Sequence, residues 1–204
     1  MGRKLLIACL ILFAWLGAYV LMNKSPVKSE NTVAQVRDVP DQGGLPIGGI
    51  FRLTDHNGDI RTDRDFRGKL MIVYFGYSYC PDVCPTGLYN LQQAMENLGE
   101  DSKKCQVLFI TIDPQRDTTD ALALYMENFG DRFIGLTGTP EELAPVYKSY
   151  HVYAAKAQDN RGTNDYLMDH SSIIYVMDRK GQYITSFSHQ TSPSQMAAIV
   201  KPYL

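Results

Sequence analysis

Leu70-Met71-Ile72-Val73-Tyr74-Phe75-Gly76-Tyr77-Ser78-Tyr79-Cys80-Pro81-Asp82-Val83-Cys84-Pro85 is the stretch that decides the fold. Its first six residues form an unbroken apolar run between Lys69 and Gly76, rich in β-branched and aromatic side chains. That length and content predict a strand buried on both faces. From about Pro85 onward, Leu88, Leu91, Met95 and Leu98 recur at helical spacing and predict a helix ending near Leu98. The two cysteines therefore stand where a strand ends and a helix begins. In open α/β sheets this is where ligands collect. Partial positive charge and unpaired N–H groups at a helix start also favour a thiolate over a thiol.

Outward from this junction, strand-like and helix-like segments alternate. Ile50–Leu53 and a return near Ile60 flank Asp55-His56-Asn57-Gly58, a strong hairpin-turn signal. Val107–Ile112 reads as a second buried strand. A helix over Asp117–Phe129 follows, with Asp117 read as its cap, and then a short strand, Phe133–Leu136. Thr139-Pro140-Glu141-Glu142 opens another helix with three start signals at once: a threonine cap, proline at the first helical position and glutamate three residues past the cap. Ser171–Met177 and Gln182–Phe187 flank the turn Asp178-Arg179-Lys180-Gly181, and Ser192-Pro193-Ser194-Gln195 starts a last helix. The order βαβαβα, then a hairpin and a helix, predicts an α/β fold: a mixed sheet flanked by helices, in one domain over 47–204.

Ahead of this domain, Leu5–Met22 contains no charge and follows Arg3 and Lys4. Its 18 residues exceed a signal-peptide core of about 7–15 and fit a spanning helix of roughly 17–25. Residues 1–22 are therefore expected to be an N-terminal transmembrane helix, with Trp15 and Tyr19 toward the far interface. Leu6-Ile7-Ala8-Cys9 resembles a lipidation box, but such a box closes the apolar region and here the run continues. Residues 23–46 are polar, with Pro26, Pro40, Gly43, Gly44 and Pro46, and read as a flexible tether. No Arg- and Ser-rich transit segment precedes the apolar run. The expected location is thus a bacterial inner membrane, single-pass, with the C-terminal domain in the periplasm, rather than a mitochondrial inner membrane.

Composition excludes other classes. A net charge of −2 without a block of like charges leaves no electrostatic footprint for nucleic acid. Four cysteines are too few for a disulfide-stapled scaffold, and a domain of this size needs no staples. Cys105 precedes a strand and reads as a structural thiol.

Cys80 and Cys84 are four apart. On a helical turn they share one face, close enough to chelate one metal ion or to oxidise to a disulfide. Spacing leaves both chemistries open. Among the four histidines, His56 falls in the hairpin turn, His151 at a helix end and His189 in a polar loop. His170 differs: it stands at the edge of a predicted buried strand, beside Asp169, which is placed to orient its ring.

Three motifs in order, Tyr79-Cys80-Pro81-Asp82-Val83-Cys84-Pro85, Thr111-Ile112-Asp113-Pro114-Gln115-Arg116-Asp117-Thr118 and Asp169-His170-Ser171, resemble the Sco (SenC-type) family over about Gly49 to the C-terminus. The resemblance implies a thioredoxin-like fold with an added β-hairpin. It implies a metallochaperone that helps assemble the binuclear copper centre of cytochrome c oxidase, with Cys80, Cys84 and His170 as ligands for one copper ion per chain. It further implies subunit II of the oxidase as a partner, alongside another copper chaperone or a thioredoxin-like reductant. Two thiolates and an imidazole form a soft set suited to Cu(I) and able to take Cu(II). Met168 and Asp82 are further candidates near the site.

The competing reading is a thiol–disulfide oxidoreductase that keeps the oxidase copper-site cysteines reduced, using Cys80 and Cys84 as its redox pair without His170. Against a thioredoxin-type reductase, no proline stands between Pro145 and Pro193, where the family's cis-proline faces its cysteines. Against a peroxiredoxin-type peroxidase, Tyr77-Ser78-Tyr79-Cys80 lacks the threonine of the Thr-x-x-Cys pattern. A copper or redox sensor uses the same residues.

Overall fold

A computed structural model describes residues 46–157 and 166–204. The central strand is β3, Leu70–Gly76, and all seven of its residues are buried. It pairs in parallel with β4, Cys105–Thr111, which pairs in parallel with β5, Phe133–Thr137. On its other side β3 pairs antiparallel with β8, Ile173–Met177, and β8 with β9, Tyr183–Ser188. The hairpin of β1, Arg52–Asp55, and β2, Ile60–Thr62, adds to β5, giving the order β2-β1-β5-β4-β3-β8-β9. The expected mixed sheet and hairpins are present.

Both faces of β3 are covered, as its uninterrupted apolar run requires. Tyr74 points at helix α1, Val83–Leu98, donating its hydroxyl to Val83 O at 3.2 Å. A Cβ on Gly87 would stand 2.9 Å from the Tyr74 ring, so glycine there lets the helix approach the sheet. Phe75 points the other way, against Tyr147 and Tyr150 at the end of α3, Pro140–Ser149, and against Tyr175. The buried side of α1 is Cys84, Gly87, Leu88, Leu91, Ala94, Met95 and Leu98, a stripe at helical period with Cys84 at its start.

Several boundaries differ from the sequence reading for local reasons. α1 starts at Val83 rather than Pro85, which brings Cys84 into the helix; proline is tolerated in a first turn, where its N–H has no partner anyway. Helix α2 spans only Thr119–Met126, and its cap is Thr118, whose side chain accepts from Ala121 N, not Asp117. Helices α3 and α4, Pro193–Val200, carry reciprocal capping boxes through Thr139–Glu142 and Ser192–Gln195. A two-stranded ribbon, β6 (Ala154–Lys156) with β7 (Met168–His170), stands apart from the main sheet and was not expected.

The apolar segment 1–22 and the tether 23–46 fall outside the described residues, except Pro46. Among the described residues no helix is long and apolar enough to cross a membrane.

Candidate metal centre

The carboxyl ends of β3 and β4 lie side by side, Gly76 opposite Thr111, and the loop leaving β3 carries the first cysteine. Cys80 N–H donates to Tyr77 O at 3.2 Å, folding the loop back before α1 begins. Asp82 occupies the cap position without a side-chain capping bond. A first-turn donor is instead directed at sulfur, since Cys84 N–H meets Cys80 Sγ at 3.4 Å. Cys80 is 8% exposed and Cys84 is fully buried.

His170 arrives from the far side, at the end of β7, with Nε2 3.6 Å from Cys84 Sγ. One ligand atom from each of Cys80, Cys84 and His170 lies within 4.8 Å of the other two. His170 Nδ1 sits 3.0 Å from Ser171 O. A carbonyl only accepts, so in the neutral ring Nδ1 carries the proton and the Nε2 lone pair faces the sulfurs. Asp169 does not take the orienting role expected of it. Alternation along β7 puts Met168 and His170 on one side and leaves Asp169 exposed on the other. The Tyr77 ring stands edge-on to His170, centroids 5.8 Å apart.

The two thiols are strongly unequal. A hydrogen bond from the Cys84 thiol draws Cys80 down to about 3 against the cost of burial. Donation to Cys80 and burial both push Cys84 up. The pair thus carries one thiolate, on the sulfur nearer solvent.

The residues also fit a shared ion. Metal–sulfur and metal–nitrogen bonds of about 2.3 and 2.0 Å meeting between the tetrahedral and trigonal angles place their donor atoms about 3.6 Å apart, as Cys84 Sγ and His170 Nε2 are. The site opens into a cleft of about 290 Å³ lined by Cys80, Pro81, Asp82, Leu167, Met168 and His170.

The remaining candidates lie elsewhere or play other parts. Met168 packs on the core and donates its N–H to Tyr77 Oη at 3.2 Å. Asp82 is exposed, with Thr86 Oγ1 at 3.4 Å. His56 is structural: its ring Nδ1 accepts from Gly135 N–H at 3.0 Å and its backbone N–H donates to Gly135 O at 2.9 Å. His151 is exposed, at φ 55° just past α3. His189 N–H donates to Ser172 O at 3.3 Å. Cys105 is buried at the opposite end of β4, where burial raises it to about 11.

Sequence reasoning missed the supports beneath the site. Asp117, taken for a helix cap, is fully buried. It accepts from Ser78 N at 3.1 Å, from Ser78 Oγ and from Thr111 Oγ1 at 2.6 Å, tying the cysteine loop to β4. Burial raises its pKa and these donors offset part of that rise. The Thr111–Thr118 motif marked the segment, but the partner residues lie far away in sequence.

Comparison with known proteins agrees with this geometry. A family profile described as SCO1/SenC matches residues 39–204. The SCO2-like protein RC0895 of Rickettsia conorii is 34% identical over 196 residues, covering 96% of this chain and 95% of that protein. The mitochondrial protein SCO2 of Saccharomyces cerevisiae is 40% identical over 182 residues, covering 89% of this chain but 60% of the longer yeast protein. Among solved structures, Bradyrhizobium japonicum ScoI with copper bound superposes with a TM-score of 0.71 at 43% identity, covering 78% of this chain and 99% of that one. With its three motifs meeting at one junction of a thioredoxin-like sheet, the chain belongs to the SCO1/SenC family.

Proposed function

We propose that Cys80, Cys84 and His170 hold one copper ion as cargo, and that the protein delivers it for assembly of the binuclear copper centre of cytochrome c oxidase. The observation that carries this reading is the convergence of two sulfurs and one imidazole nitrogen within 4.8 Å at the mouth of a cleft. Soft donors suit copper, and three of them leave a coordination position for a donor from a receiving partner. A closed structural zinc site would use four protein ligands. The copper-bound relative supports the choice of metal.

The rest of the reading follows the sequence. Residues 1–22 anchor the chain in a bacterial inner membrane, 23–46 tether it, and 47–204 present the site in the periplasm. Subunit II of the oxidase is the recipient. Another copper chaperone loads the site, or a thioredoxin-like reductant keeps its thiols reduced, since an oxidising compartment threatens a free cysteine pair.

Copper titration of the full chain, followed by thiolate-to-copper absorption and electron paramagnetic resonance, is expected to saturate at one ion per chain. His170→Ala should weaken it sharply. Binding as tight as the parent's in that variant would sink the ligand assignment.

The unequal thiols favour a second reading, a thiol–disulfide exchanger in which the Cys80 thiolate attacks and Cys84 resolves. Oxidase activity in cells separates the two. Loss with Cys80→Ser but not with His170→Ala supports exchange; loss with both supports copper delivery.

A further inference from the structure

The copper site is divided between two bodies that share no strand. The cysteines belong to the β3–α1 junction, and the histidine to a ribbon of three residues per strand, too short to hold its own position. Arg116 stands between them, on the loop that follows β4. Its guanidinium lies 3.8 Å from the Tyr166 ring centroid on the ribbon side, and 4.8 and 5.6 Å from the Tyr79 and Tyr77 centroids on the cysteine side. Its Nη1 donates to Tyr166 O at 2.9 Å, while its Nε is held by the buried Asp113 carboxylate. Asp113 also accepts from Tyr166 Oη at 2.7 Å, so one carboxylate grips both the arginine and the tyrosine.

The remaining guanidinium nitrogen, Nη2, is buried without a hydrogen-bond partner among the described residues, and three tyrosine ring centroids lie within 5.6 Å of the guanidinium carbon. Tyr166 opens the run to Met168 and His170, and Met168 N–H is fastened to Tyr77 Oη. The histidine strand is thus pinned to the cysteine loop at two successive points, both built on residues that touch Arg116 or are stacked against it.

We infer that Arg116 is a positioning residue for the metal site, a planar cation that sets the His170 strand against the Cys80 loop so that the three donors converge before metal arrives. This rests on the copper reading for its consequence, though not for its geometry. A guanidinium suits the place because it stacks on rings and forks to a carboxylate and a carbonyl together, which a lysine ammonium does not do.

The test uses the full chain as Arg116→Gln, Arg116→Lys and Tyr166→Leu, with circular dichroism as the folding control. In metal-free protein, amide hydrogen exchange at Ala157 and Met168 should quicken in Arg116→Gln while the β3–β4 core stays protected. In copper-loaded protein, Cu(II) affinity should fall about 10–100-fold, with loss of the imidazole-nitrogen coupling in the paramagnetic resonance spectrum. Cu(I), held mainly by sulfur, should weaken less.

Arg116→Lys should behave like Arg116→Gln; a lysine protein matching the parent in both readouts would overturn the geometric role. If Arg116→Gln does not fold, Tyr166→Leu decides, since it removes the ring stacked on Arg116 and the hydroxyl held by Asp113; parent-like ribbon exchange and Cu(II) spectrum in it overturn the proposal. Cys84→Ser separates the two ideas. Undiminished copper binding there defeats the copper reading, while the metal-free exchange measurement still judges Arg116.

Discussion

A Cβ placed on Gly76 would stand 2.6 Å from Cys84 Sγ and 2.7 Å from the Phe109 ring. The last residue of β3 is therefore bare because the buried sulfur occupies the space a side chain would take. Neither neighbour has freedom to retreat, since both are fully buried. Gly76→Ala should destabilise the fold by about 1–3 kcal/mol and weaken copper binding by displacing the Cys84 thiol. Urea unfolding together with copper titration checks this; an unchanged titration would mean that the sulfur is not seated as described.

Cys80 and Cys84 lead to a pH prediction. The Cys80 pKa of about 3 in the folded protein lies below the unfolded value of about 8.5. Its contribution to stability is therefore full above about 8.5 and is lost as pH falls through that range toward the folded value. The difference in urea midpoint between the parent and Cys80→Ser should shrink steadily on acidification. One sulfur's worth of thiolate ultraviolet absorbance should persist in the metal-free parent at mildly acidic pH and vanish in Cys80→Ser.

Asp55 predicts a second acid-sensitive point, on β1, three strands across the sheet from β3. Burial alone would raise its pKa, but the Arg61 guanidinium at 2.7 Å and the N–H groups of Asp59 and Asn57 outweigh that and hold it below the usual range. A depressed carboxylate contributes stability above its unfolded pKa and loses it as pH falls through the folded one. Asp55→Ala should cost about 1–3 kcal/mol at neutral pH, less at acid pH, and leave copper binding unaltered. Denaturation at several pH values reads both effects.

Cys105 serves as the negative control among the thiols. It begins β4, at the opposite end of the parallel pair from the metal centre, and is buried there. Cys105→Ser should leave copper stoichiometry at one per chain while costing about 1–3 kcal/mol for the buried hydroxyl. A change in copper spectrum would place this thiol in contact with the site.

What the sequence determined by itself was local. The apolar run Leu70–Phe75 dictated a strand covered on both faces, and the starts of α3 and α4 were legible in Thr139–Glu142 and Ser192–Gln195. The cysteine spacing put two sulfurs at a strand–helix junction. Each of these signals spans a few residues, because backbone propensity, capping and side-chain period act over one or two turns.

The tertiary structure decided what crosses the chain. His170 reaches Cys84 over a separation of 86 positions, on a ribbon too short to announce itself in the sequence. Asp169 looked suited to orient that histidine, yet strand alternation turns it outward. Asp117 looked like a helix cap, yet its partners are Ser78 and Thr111. Arg116 gains its place only when Tyr79 and Tyr166 are brought to it from opposite sides. Packing of distant segments, rather than the character of any one residue, settles which side chains meet, and so the cysteines could be read from the sequence while the clamp around them could not.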